Sequence, residues 1–287
     1  MDGEVVKDTK IAVISDVHGN YQALLAVMND IQKKGISYII CLGDIIGKGV
    51  NSRKCIDLIR SKCNVVLMGN VDDRFCDDPE KFRDDAEEYQ RIKYYQSLLT
   101  KEDIDFFHNL PLFTEFYLSG NLVRLFHSSM NDPYPTLTNY ELDFRKKYDL
   151  FCPDNVHSKE VADIVVYGHI HYHFLEKIYG KTLMNCGSVG CSGCAVLEDG
   201  YNSMKEISNA HYLVLQGNLN DRENAPIGFQ FESIPYDKET EIEDSDRFHN
   251  VYSGYRELLE KGHYPDLDDI MKKFSEDGYQ IFHQNEN

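Results

Sequence analysis

The chain alternates between short, wholly apolar runs and longer stretches whose apolar residues recur at every third or fourth position. Ile11, Ala12, Val13 and Ile14 form the first run, too short for a helix and suited to a buried strand. Asn20 then offers a helix N-cap, and Leu24, Leu25, Val27, Met28 and Ile31 fit one face of a helix ending at Gly35. Residues 38–42 repeat the strand pattern, 52–61 the helix pattern and 65–68 the strand pattern. Strands alternating with helices at this spacing predict parallel βαβ units.

Residues 72–88 are strongly charged and predict surface loop or helix, and 89–109 read as helical with a break at Thr100. The character then changes. Residues 112–118 and 122–126 flank Ser119-Gly120-Asn121 and predict a hairpin, and 128–140, with Asn131-Asp132-Pro133-Tyr134-Pro135, predict a loop close to the strand ends. Further strands are expected at 164–167, 174–179, 182–184, 195–198, 212–215 and 229–234. Residues 237–246 are mostly acidic and read as a solvated linker. Beyond them Phe248, Val251, Tyr252, Tyr255, Leu258 and Leu259, then Leu267, Ile270, Met271 and Phe274, follow helical spacing. This divides the chain into a main domain, 1–235, and a segment, 236–287, of linker and amphipathic helices packed on it.

In parallel units of this kind ligands gather beyond the carboxyl ends of the strands. Asp16 and His18 follow the first strand, Asp44 the second and Asn70 the third; His127 ends the hairpin, and His169 and His171 follow 164–167. Asp16/His18 and His169/His171 each sit two residues apart, and alternate positions on extended backbone point the same way, so each pair is expected to converge. Taken singly, an Asp after glycine reads as a turn residue and a His after a strand as a surface residue. Recurrence at five strand ends sets these seven apart. Oxygen and imidazole donors together suit Mn, Fe, Zn or Ni better than Ca or Mg. Seven ligands exceed the needs of one tetrahedral ion, so two divalent ions with one bridging carboxylate are expected.

A net charge of -18 argues against a nucleic-acid or anionic-membrane surface, although bound cations reverse the sign locally. Met1 to Lys10 is polar, without the apolar run of a signal peptide, and no stretch approaches a membrane span, which predicts a cytoplasmic protein. Cys186, Cys191 and Cys194 have the spacing of one iron–sulfur pattern, but a fourth thiolate is not in register, and reduced loop thiols are the expectation. Oligomeric state has no signature in the sequence.

The blocks Ser15-Asp16-Val17-His18-Gly19-Asn20, Leu42-Gly43-Asp44, Met68-Gly69-Asn70-Val71-Asp72, Phe126-His127-Ser128 and Gly168-His169-Ile170-His171 resemble, in this order, the calcineurin-like metallophosphoesterase superfamily. Gly43-Asp44-Ile45-Ile46-Gly47 and Asn185-Cys186-Gly187-Ser188-Val189-Gly190 are most similar to its compact prokaryotic phosphodiesterase branch. The resemblance implies a four-layer α/β/β/α sandwich of two mixed β-sheets flanked by helices, to which the C-terminal helices are extra. It further implies hydrolysis of phosphodiesters, nucleotide-type esters among them, by a hydroxide bridging two metals, with a small phosphorylated substrate as the partner. Asp16, His18 and His171 would hold one metal, Asp44 would bridge, and Asn70, His127 and His169 would complete the second site. Asp44, Asn70 and His169 are the expected catalytic residues. Many members carry a histidine after Gly-Asn, where this chain has Val71. A protein phosphatase or dinucleoside-tetraphosphate hydrolase is the second enzyme reading, disfavoured because Ile45-Ile46-Gly47-Lys48 replaces the usual Asp-Arg-Gly after Gly-Asp. A non-catalytic scaffold is the third, and retention of all seven ligands speaks against it. Arg53, Arg74, Arg124 and Arg145 could orient phosphate, with solvated charge as the default for each.

Overall fold

In the computed structural model, which describes residues 4–138, 141–192, 195–198, 203–206, 209–247 and 254–261, strand β1 (Val6–Ile14) is exposed at its start and buried from Ile11. Helix α1 (Tyr21–Lys33) follows, capped by the Asn20 side chain, which accepts from Ala23 N, and it buries Ala23, Leu24, Val27, Met28 and Ile31. β2 (Tyr38–Cys41), α2 (Ser52–Lys62) and β3 (Val65–Val66) continue the alternation, with β1–β2 and β2–β3 both parallel. β3 is shorter than its apolar run because Met68 N leaves the ladder and donates to Pro111 O. Three helices come next: α3 (Asn70–Cys76), α4 (Ala86–Ser97) and α5 (Lys101–His108). The break falls at Thr100, whose side chain and that of Asp103 form a reciprocal capping box.

The hairpin of β4 (Phe113–Leu118) and β5 (Asn121–Phe126) opens the second half, followed by α6 (Phe144–Asp149), β6 (Ile164–Tyr167), β7 (Phe174–Ile178) and β8 (Lys181–Asn185). β9 (Ala195–Glu198) and β10 (Ser203–Glu206) pair with each other alone. β11 (Ala210–Leu219) then returns to run antiparallel to β1, and β12 (Gly228–Ile234) pairs along β11.

Ten strands hydrogen-bond in the order β3-β2-β1-β11-β4-β5-β6-β8-β7, with β12 also on β11. The link from β11 to β4 is the single pair Leu219–Leu118, a corner at which the ladder folds back on itself. The two halves therefore face each other. Ile11, Val13, Ile40, Leu42, Leu213 and Leu215 from one meet Phe116, Val123, Leu125, Ile164, Val166 and Met184 from the other in a shared apolar layer. The outer face of the first half, through Ala12, Ile14, Cys41, Tyr212 and Val214, packs on α1, α2 and the α3–α5 group. The outer face of the second, through Phe126, Val165, Tyr167 and Leu183, packs on Phe151 and Tyr148 at α6. Helix, sheet, sheet and helix give the four-layer sandwich.

Two polar segments depart from expectation. Arg124 is neither solvated nor a phosphate ligand: it is wholly buried on β5, donating to Glu115 Oε2 at 3.0 Å, Ser158 Oγ at 2.7 Å and the carbonyls of Phe151, Cys152 and Glu160. The acidic run read as a solvated linker is instead helix α7 (Lys238–Arg247), which buries Glu241, Asp244 and Ser245. Those carboxylates have partners that composition does not reveal. Tyr255 Oη donates to Glu241 at 3.1 Å, and Asn51 Nδ2 donates to Asp244 at 2.9 Å. Helix α8 (Tyr255–Lys261) buries Tyr255, Leu258 and Leu259 in a small cluster with Cys191, in the loop after β8, and with Tyr236 and Ile242. The second expected helix, around Leu267 to Phe274, and residues 248–252 lie outside the described residues.

The loops leaving the strand ends are tied to one another. Asp16 N, His18 N and Gly19 N donate to the carbonyls of Gly43, Asp44 and Ile45, while Val189 N and Gly190 N donate to those of Ser15 and Asp16. Gly43 has a φ of +111°, and a Cβ there would stand 2.3 Å from Gly69 N, so the β2 and β3 loops touch backbone to backbone. Buried Asp72 fastens the turn after Asp44, its Oδ1 accepting from Ile45 N at 2.9 Å and Ile46 N at 3.1 Å.

Asp72→Ala leaves both of those N–H groups unsatisfied, and a loss of about 2–4 kcal/mol in unfolding free energy is expected by denaturant titration. Asp72→Asn keeps an oxygen in place and should lose less. Burial pushes the Glu241 carboxyl up to about 7 from its ordinary 4.5. The folded chain therefore holds that proton more tightly than the unfolded chain. The resulting stability is complete below about pH 4.5 and is lost as pH rises through 7. Glu241→Gln should match the parent in urea unfolding at pH 4.5 and exceed it at pH 8 by up to about 3 kcal/mol.

Candidate metal centre

The expected route by which the polar residues converge is not the one the chain takes. Asp16 and His18 do not sit on extended backbone: their φ values are 55° and 50°. Asp44 (53°), His169 (67°) and His171 (62°) are left-handed too. Each strand ends two to four residues earlier, and a tight left-handed turn, rather than strand alternation, swings the side chain inward. The flanking glycines make room for this. A Cβ on Gly168 would lie 2.7 Å from Asp16 Oδ2, and one on Gly69 would lie 2.2 Å from Asp44 Oδ1.

All seven residues singled out in the sequence come together as two adjoining clusters. In the first, His18 Nε2 and His171 Nε2 are 3.0 Å apart, and Asp16 Oδ1 lies 3.7 Å and 3.2 Å from them. In the second, Asn70 Oδ1 is 2.9 Å from both His127 Nε2 and His169 Nδ1, which are 3.3 Å from each other. Asp44 Oδ2 stands between the clusters, 3.6 Å from His18 Nε2 and 3.6 Å from His127 Nε2. The other carboxylate oxygens are engaged by backbone: His169 N donates to Asp16 Oδ2 at 2.9 Å and Val71 N to Asp44 Oδ1 at 2.8 Å.

These residues fit a metal. Asp16 Oδ1 is buried and accepts no hydrogen bond, a costly state for a carboxylate oxygen without a cation. Donors bonded to one ion at about 2.1 Å and at right angles lie about 3.0 Å apart, close to the spacings within each cluster. The groups Asp16–His18–His171 and Asp16–Asp44–His127 each present their ligand atoms within 4.8 Å of one another.

Burial sets the charge state. It lowers His18 and His171, further depressed by the Lys48 ammonium, and it lowers His127. His169 is brought down to about 4 by burial and by His127. At neutral pH the four rings are therefore uncharged, the form that offers a lone pair to a cation. Burial and the neighbouring charge of Asp16 raise the Asp44 carboxyl well above its usual range.

Other sequence candidates lie elsewhere. Arg53 pairs with Asp57 and Asp103, and Arg74 with Glu88 at 3.1 Å. Cys186 and Cys191 are buried and joined in no disulfide, and Cys194 falls outside the described residues. His173 lies 3.0 Å from His211, Nδ1 to Nδ1, apart from the seven. Two contributors escaped the sequence reading. Asp72 closes the block Met68-Gly69-Asn70-Val71-Asp72 but has no role in the expected ligand set, and Thr136, whose Oγ1 is 2.9 Å from His169 Nε2, carries no signal within its loop.

Comparison with known proteins identifies the family. The sequence model of the calcineurin-like phosphoesterases matches residues 9–173, a span that includes every residue of both clusters. A protein of Methanocaldococcus jannaschii, the uncharacterized protein MJ0912, is 34% identical over 182 residues, covering 62% of this chain and 69% of that one. The fold is similar to a metallophosphoesterase from Sphaerobacter thermophilus, with a TM-score of 0.63 at 20% identity over 89% of this chain and 100% of the other. It is equally similar to the hypothetical protein PH1004 from Pyrococcus horikoshii, with a TM-score of 0.65 at 18% identity over 89% and 99%. With over half of its length matched by the family's sequence pattern, the chain belongs to the calcineurin-like phosphoesterases, a family of metal-dependent phosphoester hydrolases.

Proposed function

We propose that the site hydrolyses phosphodiesters with two divalent cations bound. Asp16, His18 and His171 would hold one, Asn70, His127 and His169 the other, and Asp44 would be shared. The observation that carries this reading is the position of Asp44 Oδ2, equally far from His18 Nε2 and His127 Nε2. Mixed oxygen and imidazole donors favour Mn, Fe, Zn or Ni. When bound, such cations supply Lewis acidity toward phosphoryl oxygens and lower the pKa of coordinated water.

The chain's own groups orient the parts. The Val71 N–H fixes one oxygen of Asp44 and turns the other inward, and the His169 N–H does the same for Asp16. Asp16, His18, Asp44 and His127 are buried, whereas Asn70, His169 and His171 are partly exposed. Substrate would therefore approach from the side of Asn70, His169 and His171. Val71 has no proton to give. Its side chain is spent on packing, since a Cβ on Gly47 would lie 2.7 Å from Val71 Cγ1. A leaving group would have to depart without protonation from that position, which favours aryl or otherwise activated esters. The net charge of -18 supports a diester over a monoester, since the acidic surface repels a monoanion less than a dianion.

Metal-stripped protein is expected to hydrolyse bis(p-nitrophenyl) phosphate only after Mn, Fe, Zn or Ni is restored, and faster than p-nitrophenyl phosphate. Asp44→Asn should lower the restored rate at least about 100-fold and reduce metal content. Across diesters of rising leaving-group pKa the rate should fall steeply; a flat series would remove the role given to Val71. Binding of no metal by the folded parent would overturn the enzyme reading in favour of a scaffold.

A further inference from the structure

The segment from Ser128 to Thr138 leaves β5 directly after His127 and is fastened along its length. Ser128 Oγ donates to Pro135 O, and a turn closes through Ser129 and Asp132, with Asp132 N donating to Ser129 Oγ at 3.1 Å. Tyr134 Oη donates to Asp73 Oδ2 at 2.7 Å on α3, with the Arg74 guanidinium 5.5 Å from its ring. Tyr167 Oη, at the end of β6, donates to Leu137 O at 2.8 Å. Between the last two fastenings lies Thr136, whose hydroxyl is 2.9 Å from His169 Nε2. The other nitrogen of that ring faces Asn70 Oδ1 and His127 Nε2.

A neutral imidazole carries one N–H, and the partner of one nitrogen decides what the other can do. Solvent alone would leave the His169 ring free to place its proton on Nδ1, where Asn70 Oδ1 would accept it. The ring would then point a hydrogen, not a lone pair, into the second cluster. A hydroxyl held at Nε2 offers an acceptor for the Nε2 proton, so the tautomer that leaves Nδ1 bare for a cation is one whose N–H is satisfied. We propose that Thr136 is a positioning residue of the centre: its hydroxyl accepts from His169 Nε2–H, fixes the ring's tautomer and tilt, and aims the Nδ1 lone pair at the position framed by Asn70 and His127. This rests on the reading of that cluster as a cation site. It also gives the loop a function beyond contact with substrate. Through the Tyr134 and Leu137 fastenings, α3 and β6 set where the hydroxyl stands, so cation affinity depends on a segment that supplies no ligand.

The side chain is exposed and valine has nearly its shape, so Thr136→Val removes the hydrogen bond with little risk to folding. The test is Mn2+ binding by calorimetry and electron paramagnetic resonance, on full-length parent, Thr136→Val and Thr136→Ser. Parent protein should bind two Mn2+ with an exchange-coupled spectrum. Thr136→Val should keep one site at parental affinity, weaken the other about 10–100-fold and give an isolated-Mn2+ spectrum at stoichiometric metal. Thr136→Ser should bind like the parent. Activity of Thr136→Val should return toward the parental kcat with excess Mn2+. Parental binding of both ions by Thr136→Val would overturn the assignment, as would a raised KM with unchanged Mn2+ affinity, which would mark Thr136 as a substrate contact. A parent that binds no Mn2+ or any other divalent ion would instead remove the metal-centre reading itself.

Discussion

Left-handed backbone at Asp16, His18, Asp44, His169 and His171 is the constraint on which this structure depends. Each such residue costs about 1–2 kcal/mol, so five cost roughly 5–10 kcal/mol, as much as the whole net stability of many domains. No single loop could hold that strain. The loops hold it together, because the β1 turn hydrogen-bonds to the β2 turn on one side and to the loop after β8 on the other, while Asp72 secures the β2 turn from α3. Beneath them the facing apolar layers of the two half-sheets fix where each strand ends.

Burial of the polar residues follows from the same turns and shapes their chemistry. Enclosed imidazoles stay neutral, so the centre cannot balance Asp16 and Asp44 by protonating its own histidines. Two carboxyls share a small volume, and each raises the cost of the other's charge. A divalent cation is the partner that such an arrangement favours, since it satisfies the carboxylates and uses the imidazole lone pairs at once.

Much of this was legible in the sequence because strand-end chemistry repeats. Each of Asp16, Asp44, Asn70, His127 and His169 follows a short apolar run, and placing the runs in one parallel arrangement places the residues at one edge. The means of convergence was not legible. Alternation along a strand is a property of regular backbone, and these residues lie just past where regularity stops. Arg124 and the acidic α7 escaped for a shared reason: composition assigns charge to solvent, whereas burial depends on partners such as Ser158, Tyr255 and Asn51 that are distant in sequence. Thr136 escaped because a hydroxyl in a loop has no pattern until the ring it faces is known.

β11 has a consequence for how the protein is made. Its pairing with β1 joins residues about 200 apart in the chain, and it supplies both the second neighbour of β1 and the corner to β4. During synthesis every proposed ligand, through His171, emerges before that strand. Until Leu219 follows, β1 has β2 on one side and an open edge on the other, with Ile11 to Ile14 along it. An open apolar edge is a template for pairing with another chain. The nascent protein thus passes through an interval in which its proposed ligands exist but the strand that completes their scaffold does not.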